Sequence, residues 1–98
     1  MKTGRIQLRE MAETLAIQAL AFIAEDPERL ASFLGASGID PAGIRGAARE
    51  PRFLAGVLEH MLGDETLLLA FADSAGIDPA EIARASHALG GQWERDLP

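Results

Sequence analysis

His60 stands four residues before Asp64. On a continuous helix that spacing stacks the two side chains, and a carboxylate beside an imidazole can orient a general base. Gly63 lies between them, however, and is expected to end one helix so that Asp64 caps the next. His60 then falls in a last helical turn, where partial positive charge suits the helix dipole. His87 is next to Ser86, but adjacent helical residues point apart. The acidic groups Glu25-Asp26-Glu28 and Asp64-Glu65 sit where helices are expected to start, and their order does not match a calcium loop. Two histidines without a cysteine are a poor structural zinc set. The sequence therefore assigns no catalytic, metal or cofactor-binding residue.

One cationic cluster is better placed. Arg45 and Arg49 are one helical turn apart, and Arg52 comes just after Pro51. Together they form a candidate surface for an anion or an acidic partner, against the plainer reading of a solvated helix end. Gly38-Ile39-Asp40-Pro41 invites comparison with a helix–hairpin–helix loop that binds DNA. In that loop a second glycine lets backbone N–H groups approach a phosphate, and here an aspartate replaces it.

The elements that must position these residues are helical. Leu8, Met11, Leu15, Ala19 and Phe22 recur at three- and four-residue steps and predict a helix over about 8–24 with one apolar face. Ile17, Leu20 and Ile23 widen that face. Asp26-Pro27 caps and opens a second helix carrying Leu30, Phe33 and Leu34, and Gly35 or Gly38 is expected to stop it. Pro51 opens a helix with Phe53, Leu54, Val57, Leu58, Met61 and Leu62. Asp64 caps another with Leu67, Leu68, Leu69, Phe71 and Ala72. No window alternates apolar and polar residues as a half-buried strand would.

The chain also nearly repeats itself. Residues 33–48 read FLGASGIDPAGIRGAA and residues 71–86 read FADSAGIDPAEIARAS, with eight of sixteen positions identical. Each copy holds one corner, Gly38-Ile39-Asp40-Pro41 and Gly76-Ile77-Asp78-Pro79. Glycine stops a helix, aspartate caps the next and proline occupies its first position. Ile39 with Ile44, and Ile77 with Ile82, have the spacing of a hydrophobic staple, and Glu81 could complete a capping box. The expected fold is all-α: one domain over 1–98, a compact bundle of about six short helices. It divides into two three-helix pseudo-repeats, 11–48 and 49–89, with a tail at 90–98 that holds Trp93. At the offsets of the arginine cluster the second copy has Ala83, His87 and Gly90, so the cluster belongs to one half alone.

The runs AETLAIQALAFIAEDPERLASFLGASGID (12–40) and EPRFLAGVLEHMLGDETLLLAFADSAGIDP (50–79) resemble a small alphaproteobacterial family catalogued as domain of unknown function 3572. The resemblance covers most of the chain. It implies a short, stand-alone bacterial protein of the cytoplasm with no assigned activity.

Composition narrows the function classes. The net charge is −6, which repels polyanions, and there are no cysteines for disulfides, thiolate metal sites or nucleophiles. No apolar run approaches the roughly 20 residues needed to span a bilayer. Lys2, Arg5 and Arg9 precede the apolar run 15–24, but Glu10, Glu13 and Gln18 argue against a secretory signal. The first, fourth and fifth helices are apolar on nearly every side. Either they are central in the bundle, or one face is shared with another chain. The leading expectation is a non-enzymatic protein-interaction module, pairing with a protein partner or with itself. The alternative is a nucleic-acid-associated regulator that uses the basic N-terminus with Arg45, Arg49 and Arg52.

Overall fold

Pro27, Pro51 and Pro79 each occupy the first position of a helix, where the missing N–H is not needed. The computed structural model describes the backbone of residues 2–89 and the side chains of residues 8–40 and 42–89. The expected tail 90–98, with Trp93, lies outside the described residues, as do the side chains of Lys2, Arg5 and Pro41. The helices are α1 (Lys2–Ala24), α2 (Pro27–Ser37), α3 (Ile44–Ala47), α4 (Pro51–Leu62), α5 (Glu65–Ala75) and α6 (Pro79–Ala88), with a 3-10 turn at Pro41–Gly43. No strand occurs among the described residues, so the fold is all-α. Helix α1 begins at Lys2, six residues before the expected start at Leu8.

Side-chain caps set the helix starts. The carboxylate of Asp26 accepts from the Glu28 N–H at 2.9 Å, Asp64 from Leu67 at 3.2 Å and Asp78 from Ala80 at 2.9 Å. Asp40 does the same for Ala42 at 3.1 Å. Each cap satisfies a donor that the helix itself cannot, worth about 1 kcal/mol.

The two glycine corners share a conformation and differ in how they close. Gly38 and Gly76 have φ of +72° and +70°, in the left-handed region. At the second corner the Ile77 N–H donates to the Ala72 carbonyl at 3.0 Å and the Gly76 N–H to Asp73 at 3.3 Å, a Schellman pair. At the first corner Gly38 donates to Leu34 at 2.9 Å, while the Ile39 N–H turns to the Ser37 hydroxyl at 3.3 Å. Position 75 in the second copy is alanine and offers no such acceptor. The expected capping box is not formed: among the described residues no hydrogen bond joins the Glu81 carboxylate to the Asp78 N–H, and Glu81 is exposed.

The corners also lead into unequal helices. After Asp78 comes a ten-residue α-helix; after Asp40 the chain makes a 3-10 turn and only four α-helical residues. Gly43 and Gly46 stand where the second copy has Glu81 and Arg84. A helical glycine costs about 1 kcal/mol relative to alanine, and two of them within one turn remove the reason to propagate.

Helices α1, α4 and α6 pack against one another in pairs, α2 closes over α1, and α5 leans on α4 and α6. The core between them holds Ile23, Leu54, Val57, Leu58, Met61 and Ile82, with Phe33 from α2 and Phe71 from α5. Helix α4 is central, and Leu54, Ala55, Val57, Leu58 and Met61 are all buried, so its apolar excess is core. On α1 the buried stripe is Ala12, Ala16, Ala19, Leu20 and Ile23. This stripe keeps Ala19, Leu20 and Ile23 of the expected face but is rotated away from Leu8 and Met11 toward Ala12 and Ala16. Three alanines let α1 approach its neighbours closely along its first half, where Leu8 and Met11 are displaced to the margin, while Leu20 and Ile23 fill the core farther on.

Candidate interaction surface

Displacement of the large residues on α1 leaves a side of the molecule open. Leu8 is 52% exposed and Met11 68% exposed, while Leu15 is half-buried beside them. With Gln18 these residues form one wall of a groove of about 520 Å³, and Glu81, Arg84 and Ala85 of α6 form the other. Glu10 and Thr14 also border it. The groove has an apolar floor with carboxylates and one guanidinium at its edges. Two further large apolar residues are exposed singly on other faces, Ile17 of α1 and Leu69 of α5, each at 49%.

His60 and Asp64 do line a common hollow of about 170 Å³ with Arg29, Ser32 and Thr66. Its serine, histidine and aspartate are not linked by hydrogen bonds among the described residues, and Asp64 is committed to capping α5. His60 is half-buried, with its ring edge-on to Phe33 at 5.1 Å. A nucleophile needs its base within hydrogen-bond reach and the base needs an orienting partner. The hollow provides neither, and it is smaller than ordinary ligand sites. A larger recess of about 450 Å³ lies between α2 and α4, bounded by Phe33, Phe53, Gly56, Glu59 and Arg52.

The arginine cluster is spread along a connection. Arg45 lies on α3, Arg49 in the link to α4 and Arg52 in the first turn of α4. All three are exposed, and among the described residues none is in an ion pair. The corner residues Gly38, Ile39, Asp40, Gly76, Ile77, Asp78 and Pro79 lie at helix junctions, and none of them lines the groove. Ile77 packs against the core, whereas Ile39 is half-buried outside it.

Arg29 is a residue that sequence reasoning missed. Its guanidinium carbon lies 4.1 Å from the Phe22 ring centroid and one of its nitrogens donates to the Phe22 carbonyl at 3.3 Å. Phe22 also meets Phe71 at 5.4 Å, so Arg29 fastens the α1–α2 corner to an aromatic pair. The signal lay in Asp26 three residues before Arg29, which places the guanidinium over the corner, within 3.9 Å of that carboxylate.

Among the described residues no helix is long and apolar enough to cross a membrane, and no group of three or more His, Asp or Glu could hold a metal ion. No curated protein and no solved structure shows significant similarity to the chain. The model of one family, described as a protein of unknown function (DUF3572), matches residues 9–92, and the chain belongs to that family.

Proposed function

We propose that the chain is a small non-enzymatic protein-interaction module that works through α1. The observation that carries this reading is the exposure of Leu8 and Met11 next to a groove. Elsewhere among the described residues Phe33, Leu58, Met61, Ile82 and Val57 are almost inaccessible, and the other two exposed large apolar residues, Ile17 and Leu69, stand singly. Adjacent exposed apolar side chains rimmed by polar ones are the kind of surface that a partner covers. Helix-in-groove recognition uses this kind of floor, with anchors at three- and four-residue steps. A bacterial cytoplasm, as the family resemblance implies, suits a chain without cysteine.

The test is a photocrosslinking amino acid in place of Met11, and separately in place of Leu69, expressed in native cells. The expected result is one defined crosslinked band from position 11 that is absent from position 69. Equal or absent crosslinking at both positions would overturn the reading.

A second reading is favoured by the three exposed, unpaired arginines at 45, 49 and 52: attraction of a nucleic-acid backbone with help from the basic start of α1. Phosphate contacts of this kind weaken steeply with salt. The overall charge of −6 opposes this, so the protein-interaction reading stands first.

A further inference from the structure

We infer that the recess between α2 and α4 is a binding site for a small aromatic molecule with an acidic group at one end and a basic group at the other. The recess shares no lining residue with the α1–α6 groove, so this site is separate from the surface proposed above. Three observations point to it.

The first is a glycine that the fold does not use. Gly56 lies in the middle of α4, where glycine weakens a helix relative to alanine. Its φ is not positive, and a Cβ there would meet no atom within 4 Å. Neither backbone freedom nor close packing accounts for it. Gly35 is as open but lies exposed on α2, whereas Gly56 is half-buried and borders the recess. A side chain at position 56 would take up that space. The volume of about 450 Å³ falls within the usual range of small-molecule pockets.

The second is the make-up of the walls. Helix α2 packs chiefly on α1, and aromatic rings bridge its gap to α4. The buried Phe33 ring meets Phe53 at 5.9 Å and 73°, and His60 at 5.1 Å and 78°. All three rings border the recess. A flat guest can add a further offset or edge-to-face contact to such a set, which is worth more than the area it buries. A saturated ring cannot.

The third is charge, taken over the whole lining. Among the described residues that border the recess there is one fixed cation, Arg52, and one carboxylate, Glu59, which is followed by the imidazole of His60. Arg52 and Glu59 are seven residues apart on α4, about 10 Å along the helix, with Gly56 between them. Both are exposed, and among the described residues neither is in an ion pair. The guanidinium fork suits a planar carboxylate, and Glu59 suits an ammonium group. A ligand of one sign alone would meet a like charge at one end. A dipolar one meets an opposite charge at each. Ser37 also borders the recess, but its hydroxyl is engaged with the Leu34 carbonyl and the Ile39 N–H.

The test is titration of para-(aminomethyl)benzoate into the full nitrogen-labelled chain, followed by amide shifts in two-dimensional NMR. A probe of about eleven non-hydrogen atoms should bind with a Kd of about 0.1–3 mM. The saturating shifts should fall around Phe33, Gly56 and His60. Benzoate, benzylamine and the cyclohexane analogue of the probe should each bind about 3-fold more weakly or worse. Arg52→Gln should weaken the probe and benzoate about 3-fold and spare benzylamine, and Glu59→Gln should weaken the probe and benzylamine and spare benzoate. Both side chains are exposed, so neither change should alter helicity by circular dichroism. Gly56→Leu should fill the recess, keep the helicity and weaken the probe more than about 10-fold.

No saturable shift by about 10 mM, several times the expected Kd, overturns the site. So do shifts centred on Leu8 and Met11, or unchanged binding in a folded Gly56→Leu chain. A cyclohexane analogue that binds as well as the aromatic probe overturns the assigned ligand class.

Discussion

Four glycines allow the same substitution to be asked of two backbone conformations. Gly76 and Gly38 sit at φ +70° and +72°, while Gly56 and Gly35 lie inside α4 and α2. A Cβ added at any of the four would meet no atom within 4 Å. Packing therefore drops out and the backbone decides the sign. At positive φ an alanine Cβ crowds its own carbonyl, costing about 1–2 kcal/mol. The stiffer unfolded chain returns about 0.4–1 kcal/mol, so Gly76→Ala should destabilise by about 1 kcal/mol. In the helices the strain is absent, and Gly56→Ala should stabilise by about 0.5–1 kcal/mol. For a chain of 98 residues each kcal/mol moves Tm by about 4–8 °C. Thermal and urea unfolding monitored by circular dichroism would measure both. Gly38→Ala should match Gly76→Ala, and the double variant should show the sum, because no hydrogen bond among the described residues joins the two corners and each strain is local to its own backbone. A stabilising Gly76→Ala, or a destabilising Gly56→Ala with unchanged helicity, would refute the assignment of the corners.

The staple isoleucines should separate. Ile77→Ala removes a side chain packed on the core and should cost about 2–3 kcal/mol, whereas Ile39→Ala, half-buried outside the core, should cost about 1 kcal/mol or less by urea unfolding. Asp64→Ala and Asp78→Ala should each lose about 1 kcal/mol, and the asparagine variants should keep most of it, because the cap needs an accepting oxygen and not a charge. Arg29→Ala should destabilise by about 1–2 kcal/mol through the lost ring contact and the lost bond to the Phe22 carbonyl. Asp26→Asn, which removes the 3.9 Å ion pair and keeps the cap, should change little. If the arginine cluster binds nucleic acid, duplex DNA should be retained at about 50 mM salt and released when Arg45 and Arg49 are both alanine; retention equal to that of an inert acidic protein would remove that reading.

Local chemistry was legible in the sequence, and the choice of faces was not. The caps at Asp26, Asp64 and Asp78 and the stop at Gly76 depend on residues within four positions of one another, so they could be placed from the chain alone, whereas Gly35 and Gly38 were equal candidates to end α2 and the structure ends it at Gly38. Helix α4 was legible as apolar, but its place at the centre depends on α1, α5 and α6 meeting it from different sides. The short α3 is legible in Gly43 and Gly46, which stand where the ten-residue α6 has Glu81 and Arg84.

Helix α1 shows why the surface escaped a reading by hydrophobicity. It carries large apolar side chains in several directions, and hydrophobicity favours the stripe with the largest ones. Packing favours the stripe that lets helix axes come close, and Ala12, Ala16 and Ala19 provide that approach while burying completely or nearly so. Leu8 and Met11, which would hold α6 away if turned inward, are left at the edge of the groove that the approach creates. The exposed stripe is thus a consequence of the close contact beneath it. Enlarging the buried stripe should disturb both at once: Ala16→Leu would push α1 off its neighbours, destabilise the fold by about 1–3 kcal/mol and weaken the crosslink from position 11 as well. A variant at position 16 that lost stability but crosslinked from position 11 as before would show that the groove does not depend on the packing of α1.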